Sequence, residues 1–276
     1  MEPVSKAKLK QLRSLTSRKG REEAGLFIAE GPLIIEEGFK AGVFPRYVVV
    51  SDSPGKPHDA PRDTVMIKDA STLTDKLIAR CKQENIDVCN ATPEEFAEGA
   101  DTVNSQGILA VYGIPKYSLP PLMEKPDITL LVLDNMREPG NLGTIIRQAA
   151  AFDCGALLLI KGCVDAYNNK AVRATMGGIF HVPIFDELTP EDVMGKLTQY
   201  GVWPYVAARG GASAFSISFP PKTAFVIGGE TEGVQPFWNE RDVIKVGIPQ
   251  TDKVESLNAA VAASIFMANR YQAKDK

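Results

Sequence analysis

Histidine and cysteine are scarce in this chain, and long apolar runs are missing. The sequence has two histidines, His58 and His181, and four scattered cysteines with no C-x-x-C pair. This spacing argues against a zinc site and a disulfide framework, so we expect no metal and a reducing cytoplasm. The longest apolar runs, such as residues 128–133, are strand-length and too short to span a membrane. The basic N-terminus also lacks the apolar core and cleavage site of a secretory signal.

An overall positive charge, which many nucleic-acid-binding proteins carry, is missing as well. The 276 residues hold 31 Lys and Arg against 34 Asp and Glu, a net charge of −3. Before Glu22, however, Glu2 is the one acid in a strongly basic stretch. This basic arm is either a phosphate-binding surface or a solvated, charged helix face. Its members are Lys6, Lys8, Lys10, Arg13, Arg18, Lys19 and Arg21.

A proline-rich stretch separates two halves of similar size. Residues 114–127 contain four prolines, which favour extended backbone and oppose helix or central strand. We therefore predict one domain at 1–113, a linker at 114–127 and a second domain at 128–276.

Both halves alternate helices with short apolar strands, which predicts α/β folds. In the first half we predict helices at 5–19, 32–41 and 73–82, and strands at 26–29, 47–50, 64–67 and 107–112. In the second half we predict strands at 128–133, 156–160, 182–185, 202–207, 224–227 and 243–246, and helices at 142–152 and 257–271. The nearly continuous apolar strands of the second half indicate a mostly parallel sheet covered on both faces.

Three segments of the second half carry polar residues that core packing does not require. Each follows a predicted strand, and ligands bind at the carboxyl ends of the strands in parallel sheets. In the first, LDNMREPGNLGTIIRQAAAF, Asn141 is a plausible helix N-cap. Arg147 stands among apolar residues, and a desolvated guanidinium needs a partner. The alternative is a surface arginine whose stem packs on the sheet.

The second segment, AFVIGGETEGV, runs from a strand into Gly228, Gly229 and Glu230. Glycine allows close backbone approach to a ligand, although an ordinary turn is the alternative. The segment lacks the lysine of a phosphate loop and the G-x-G-x-x-G spacing of a dinucleotide site. In the third, VGIPQTDKVESLNAAVAASIFMA, Ser256 can cap the last helix, which leaves Asn258 unexplained inside its first turn.

In this order and spacing the three segments resemble the motifs of the SpoU/TrmH-like family of RNA 2′-O-ribose methyltransferases. The family pattern is an N-x-G-x-x-x-R helix, a glycine–glutamate turn and an I-P loop ending in S-L-N. It is carried here by Asn141…Arg147, Gly228…Gly233 and Ile248…Asn258. The similarity covers residues 128–272. One departure is Gly229, where the family commonly has asparagine.

The first half resembles the accessory domain that often precedes this catalytic domain, a ribosomal-protein-like α/β sandwich that binds RNA. The resemblance is carried by the basic stretch and by Leu26–Gly31. It implies that the basic arm contacts RNA.

The resemblance also implies a deep trefoil knot in the C-terminal domain, a homodimer formed through that domain, and S-adenosylmethionine as the methyl donor. The donor would contact Ala207, Ala208, Gly228, Gly229, Ile248 and Leu257. Arg147 would be the central catalytic residue, because a guanidinium stays protonated and can neutralise a substrate phosphate and a developing alkoxide. Asn141, Glu230, Ser256 and Asn258 would position Arg147 and the ribose, with Glu230 a candidate ion-pair partner. No metal is required.

The accessory domain favours large-subunit (23S) ribosomal RNA as the substrate, with transfer RNA as the alternative. A non-catalytic RNA-binding member of the same fold is a further alternative, against which the co-occurrence of Arg147, Glu230, Ser256 and Asn258 argues. A nicotinamide-dependent oxidoreductase would need a dinucleotide fingerprint after Leu133, which is absent.

Overall fold

A computed structural model describes residues 1–52, 70–100, 105–240 and 243–274. The chain forms two compact units: Met1–Pro115 with Tyr167–Phe180, and Lys116–Ala166 with His181–Lys276. The backbone therefore passes between the units after residues 115, 166 and 180.

The elements follow the predicted alternation of helices and strands. Up to residue 113 they are β1 (Glu2–Pro3), α1 (Lys6–Leu15), α2 (Arg18–Ala24), β2 (Leu26–Glu30), α3 (Pro32–Lys40), β3 (Tyr47–Ser51), α4 (Ala70–Gln83), β4 (Asp87–Ala91), α5 (Pro93–Ala97) and β5 (Ile108–Gly113). The remainder are α6 (Leu119–Met123), β6 (Ile128–Asp134), α7 (Pro139–Ala151), β7 (Ala156–Ile160), α8 (Asn169–Ala174), a 3-10 turn (Gly178–Phe180), β8 (Ile184–Leu188), α9 (Pro190–Gln199), β9 (Trp203–Ser213), β10 (Lys222–Gly228), α10 (Pro236–Asn239), β11 (Ile244–Gly247) and α11 (Ala259–Lys274).

The first unit is built on a mixed five-stranded sheet in the order β1-β4-β3-β5-β2. Strand β5 runs antiparallel to both β2 and β3, whereas β1, β4 and β3 are parallel. Leu12 and Leu15 of α1 are fully buried in its core with Ile28, Val49 and Leu109. The N-terminal helix is therefore part of this unit's core, and it is not a detached arm.

The second unit is built on a six-stranded parallel sheet in the order β11-β9-β10-β6-β7-β8. Every residue of β6 and β7 is buried, as expected for strands covered on both faces. After β6 the chain builds the sheet in one direction through β7 and β8, and later returns to add β10 on the other side of β6. The carboxyl ends of β6 and β10 thus flank the crevice where ligands bind in such sheets.

The segment Tyr167–Phe180 packs on the sheet of the first unit through aromatic contacts. The ring centroids of Phe27 and Tyr167 lie 5.1 Å apart, and those of Tyr112 and Phe180 lie 4.8 Å apart. Asn169 Nδ2 donates to the carbonyl of Gly99 at 3.2 Å. This connection from the second half of the chain therefore completes the core of the first unit.

Several predicted elements differ from the observed ones. The helix at 5–19 is two helices, because the Ser17 side chain caps a new helix by accepting from the Gly20 amide. The proline-rich stretch contains a helix, α6, because Pro120 and Pro121 occupy its first turn, where proline's missing N–H costs little. Strand β4 was not predicted, since its sequence DVCNA has few strand-forming residues. The strand predicted at 64–67 lies outside the described residues.

Candidate active site

The loop after β6 leads into α7, which begins earlier than predicted. Proline at position 139 starts the helix, and the Glu138 side chain caps it by accepting from the Asn141 amide at 2.8 Å. The prediction that Asn141 is the N-cap is therefore wrong. Its side chain lies in the first turn and is available for other contacts.

The glycine–glutamate turn after β10 leaves no room for side chains at its first two positions. A Cβ on Gly228 would lie 2.4 Å from the Gly233 carbonyl carbon, and one on Gly229 would lie 2.1 Å from the main-chain carbonyl oxygen of Asn135. The Gly229 amide donates to the Asp134 carbonyl at 2.8 Å, which joins the turn to the end of β6. Glycine at position 229, where the family commonly has asparagine, is thus matched to the close approach of Asn135.

The last helix begins at Ala259, and Asn258 caps it. Its Oδ1 accepts from the amides of Ala260 at 3.0 Å and Val261 at 3.2 Å. The predictions that Ser256 caps this helix and that Asn258 lies inside its first turn are wrong. Ser256 is exposed in the preceding loop, two residues before the cap.

The three motifs meet at one carboxylate. Glu230 Oε1 accepts from Asn141 Nδ2 at 2.8 Å and also from Asn258 Nδ2. Asn258 Nδ2 further donates to Asn141 Oδ1 at 3.1 Å. Residues separated by 28 to 117 positions are therefore joined in one hydrogen-bonded cluster at the carboxyl ends of the central strands.

A cavity of about 230 Å³ lies beside this cluster. All six residues predicted to contact the methyl donor line it, namely Ala207, Ala208, Gly228, Gly229, Ile248 and Leu257, and Glu230 and Ser256 line it too. Glycine and alanine leave main-chain groups accessible along much of the wall. Such a wall suits a neutral adenine edge and ribose, because main-chain N–H and C=O groups can pair with both.

Two contributors to the site were not predicted from the sequence. Arg209 lines the cavity and holds the loop that leads to α11, with Nη1 donating to the Glu255 carbonyl at 3.0 Å and Nη2 to Asp252 at 2.6 Å. Cys163 is buried behind the β6–α7 loop, where its Sγ donates to the Leu133 carbonyl at 3.2 Å. Burial raises the pKa of the Cys163 thiol to about 11. Neither residue belongs to a motif, so no sequence signal marked them.

Arg147 lies on α7 with its side chain exposed. Within the described residues it has no hydrogen-bond or ion-pair partner, and the carboxylate of Glu230 is bonded to the two asparagines instead. Of the two interpretations of the sequence, a desolvated guanidinium with a partner and a surface arginine, the structure has the second: the apolar neighbours Ile145 and Ile146 face the core, and Arg147 lies on the opposite face. An exposed, unpaired guanidinium keeps all its donors free for an anion.

The basic residues of the first unit are mostly engaged. Ion pairs or hydrogen bonds join Lys8 to Asp87, Arg13 to Glu98, Arg18 to Glu22 and Lys19 to Glu23. Arg21 is buried, with 4% of its surface exposed, and donates to the Leu15 carbonyl at 2.7 Å. In the part of the chain that the structure describes, Lys6 and Lys10 are exposed and lack such partners.

No cluster of three or more His, Cys, Asp or Glu suited to a metal ion occurs among the described residues. Over the same residues, none of the helices combines the length and apolarity required to cross a bilayer. All four cysteines are buried and free.

Comparison with known proteins supports the resemblance to the RNA 2′-O-ribose methyltransferases. The SpoU rRNA Methylase family model matches residues 129–268, and a model of the MRM3-like substrate binding domain matches residues 6–110. The 23S rRNA (guanosine(2553)-2′-O)-methyltransferase RlmP of Bacillus subtilis (strain 168) is 29% identical over 268 residues, covering 97% of both chains. The mitochondrial rRNA methyltransferase 3 of Homo sapiens is 34% identical over 66% of this chain and 40% of its own.

Solved structures share the fold over nearly the whole chain. The AdoMet-bound rRNA methyltransferase from Sinorhizobium meliloti superimposes with a TM-score of 0.80 at 23% identity, covering 99% of this chain and 97% of that one. With its methylase model spanning more than half of the residues, the chain belongs to the SpoU rRNA methylase family of S-adenosylmethionine-dependent RNA 2′-O-ribose methyltransferases.

Proposed function

We propose that this protein methylates a ribose 2′-hydroxyl of large-subunit ribosomal RNA through the Asn141–Glu230–Asn258 cluster and Arg147. The observation that carries the proposal is the convergence of three motifs on Glu230 at the wall of a glycine-lined cavity. Ribosomal RNA is favoured over transfer RNA because relatives that match 97% and 66% of this chain are named as rRNA methyltransferases.

The cavity fits S-adenosylmethionine, which supplies an activated methyl group when bound. Gly228, Gly229, Ile248 and Leu257 would hold its adenosine by main-chain contacts, with Ala207 and Ala208 alongside. A Cβ at position 228 or 229 would collide with the main chain, so these two positions require glycine. Arg209 would keep the loop carrying Ser256 closed over the cavity by its bonds to Asp252 and Glu255.

The protein's own side chains would orient the acceptor and stabilise charge. The ribose hydroxyl would release its proton to solvent as it attacks, and Arg147 would neutralise the adjacent phosphate and the developing alkoxide. Glu230 holds the amides of Asn141 and Asn258 in fixed orientation, which restricts where the ribose can lie. Ser256 would contribute a hydroxyl at the cavity wall.

The RNA would also contact the first unit, which matches a substrate-binding model. As far as the structure describes the chain, Lys6 and Lys10 are the basic-arm residues with unpaired ammonium groups, and Arg21 is buried and does not belong to this surface. Four free cysteines support a reducing cytoplasm. We further infer the family's trefoil knot in the second unit and a homodimer through that unit, in which the exposed Arg147 of one protomer could serve the site of its partner.

The test is to map 2′-O-methyl positions in total RNA from cells with and without the gene. Loss of one mark in large-subunit ribosomal RNA is expected. Loss of a mark from transfer RNA instead would show that transfer RNA, and not ribosomal RNA, is the substrate. An unchanged methylation map, together with no binding of S-adenosylmethionine in calorimetry, would favour the non-catalytic RNA-binding alternative.

A further inference from the structure

A second cavity, of about 170 Å³, lies next to the methyl-donor cavity. It lies between the β6–α7 loop and the glycine–glutamate turn and is partly open to solvent, and Asn141 forms part of its wall. Glu230 lines both cavities. A nucleoside in the second cavity would therefore have one end at the carboxylate cluster and the other at the loop residues that line the remaining wall.

That remaining wall carries an ion pair between Arg137 and Glu232. Arg137 Nη2 donates to Glu232 Oε2 at 2.9 Å, and the two side chains are 68% and 47% exposed. Within the described residues, the other guanidinium N–H groups, the Oε1 oxygen of Glu232 and a lone pair of its Oε2 have no further partner. The wall thus presents a group that only donates directly beside a group that only accepts.

Guanine has the complementary edge. Its O6 acceptor lies beside two adjacent donors, N1–H and the N2 amino group, which one carboxylate can accept together while a guanidinium donates to O6. Each of the other bases would place one of its own lone pairs against the carboxylate. Adenine and cytosine present a ring nitrogen acceptor next to their amino groups, and uracil flanks its single N–H with two carbonyls, so each leaves an unfavourable acceptor–acceptor contact.

We infer that the second cavity holds the acceptor nucleoside and that Arg137 and Glu232 select guanosine. This inference rests on the proposed methyltransferase function and adds the identity of the base. The wall can contact the Watson–Crick edge only of a base that is not paired. An unpaired base in an RNA loop can be turned outward so that this edge is accessible. Glu138, also at this wall, caps α7 and serves as a structural residue.

The first experiment identifies the product nucleoside. Purified protein is incubated with ribosomal RNA from cells lacking the gene and S-adenosylmethionine carrying a deuterated methyl group, and the RNA is digested to nucleosides for mass spectrometry. Label in 2′-O-methylguanosine supports the inference. Label in 2′-O-methyluridine, -cytidine or -adenosine overturns it while leaving the proposed function intact. No labelled ribose-methylated nucleoside overturns both.

The second experiment tests Glu232 directly. On the shortest RNA fragment that accepts label at guanosine, Glu232→Gln is expected to lower kcat/KM about tenfold or more, because a bidentate base contact is lost. With inosine at the target position, which lacks the N2 amino group, the same substitution should cost less than about threefold. The control Glu240→Gln alters an exposed carboxylate away from the cavity and should leave both values unchanged. Equal losses on guanosine and inosine would overturn base selection by Glu232.

Discussion

The buried carboxylate of Asp134 accepts two hydrogen bonds from one residue, Gln235, at 2.7 Å from its main-chain amide and 2.8 Å from Nε2. Asp134 ends β6 and is fully buried, and Gln235 follows the glycine–glutamate turn. Asn135 adds a bond from Nδ2 to the Gly233 carbonyl at 3.2 Å. The turn is therefore clamped at its far end to the same loop that leads into α7.

Asp134→Asn should weaken this clamp. The asparagine amide nitrogen would face the donor of Gln235, so a charge-assisted bond is replaced by a donor–donor contact. We expect a loss of about 1.5–3 kcal/mol in the free energy of unfolding, measured by urea titration. Affinity for S-adenosylmethionine should fall with it. Glu240→Gln is the control, and a variant with wild-type stability and affinity would show that the clamp does not hold the turn.

Arg147→Ala should abolish methyl transfer without loss of donor binding. The side chain is exposed on α7, so folding should be unaffected, whereas charge stabilisation of the attacking hydroxyl is removed. We expect kcat to fall by at least about a hundredfold. Arg147→Lys keeps the charge but not the planar fork and should recover little. Calorimetry with S-adenosylmethionine provides the control, because a matching loss of affinity would place Arg147 in the donor site.

Gly229→Ala and Gly195→Ala make the same chemical change in opposite surroundings. A Cβ at position 229 would lie 2.1 Å from the Asn135 oxygen, whereas one at position 195, in α9, has no atom within 4 Å. We expect Gly229→Ala to lower the thermal midpoint and donor affinity. Gly195→Ala should stabilise the protein by about 0.5–1 kcal/mol through its lower unfolded-state entropy. A tolerated alanine at 229 would refute the close fit.

Replacing Lys6 and Lys10 with alanine should reduce the salt dependence of RNA binding. Each phosphate contact contributes about 0.7 to the slope of log affinity against log salt for single strands, so a loss of about 1.4 is expected if both make contact. Substitution is preferred to truncation, because α1 also supplies Leu12 and Leu15 to the core. Lys82→Ala, an exposed lysine at the end of α4, is the control. An unchanged slope would exclude these lysines from the RNA surface.

Acid should destabilise the first unit through two carboxylates. The hydrogen bond from Lys8 lowers the pKa of Asp87 below its usual 3.8, and that from Arg13 lowers the pKa of Glu98 below 4.5. Because both folded-state pKa values lie below the unfolded ones, their stabilisation is complete above about pH 5 and is lost as pH falls through the folded values. The double substitution Asp87→Asn, Glu98→Gln should flatten the fall in urea midpoint between pH 5 and pH 3. If the urea midpoint of the variant fell equally steeply, the acid destabilisation would come from other titratable groups.

The sequence predicted the sheet of the second unit well, because its strands are covered on both faces and therefore continuously apolar, as in β6 and β7. It also placed the three motifs at the carboxyl ends of strands. The detailed roles were harder to predict. Asn258 serves at once as a cap and as a donor to Glu230, and such a double role depends on a partner 28 residues away.

The sequence was least informative where tertiary contacts decide. For Arg147 it left burial and exposure open, because the choice depends on which face of α7 packs on the sheet, and a count of apolar neighbours does not give that face. Two members of the basic arm are paired with acids distant in sequence: Lys8 with Asp87, 79 positions away, and Arg13 with Glu98, 85 positions away. The Asp134–Gln235 clamp spans 101 positions, and Gln235 lies outside the three segments, so the sequence around Asp134 could not indicate its partner.

The packing of Tyr167 and Phe180 against Phe27 and Tyr112 restricts how this protein can be recombined. A chimera that exchanges residues 1–115 with those of a relative would set a foreign sheet against the native Tyr167–Phe180 segment. Exchange should therefore succeed only when both stretches are transplanted together, and inherited changes at these four aromatic positions should occur in matched pairs across the chain.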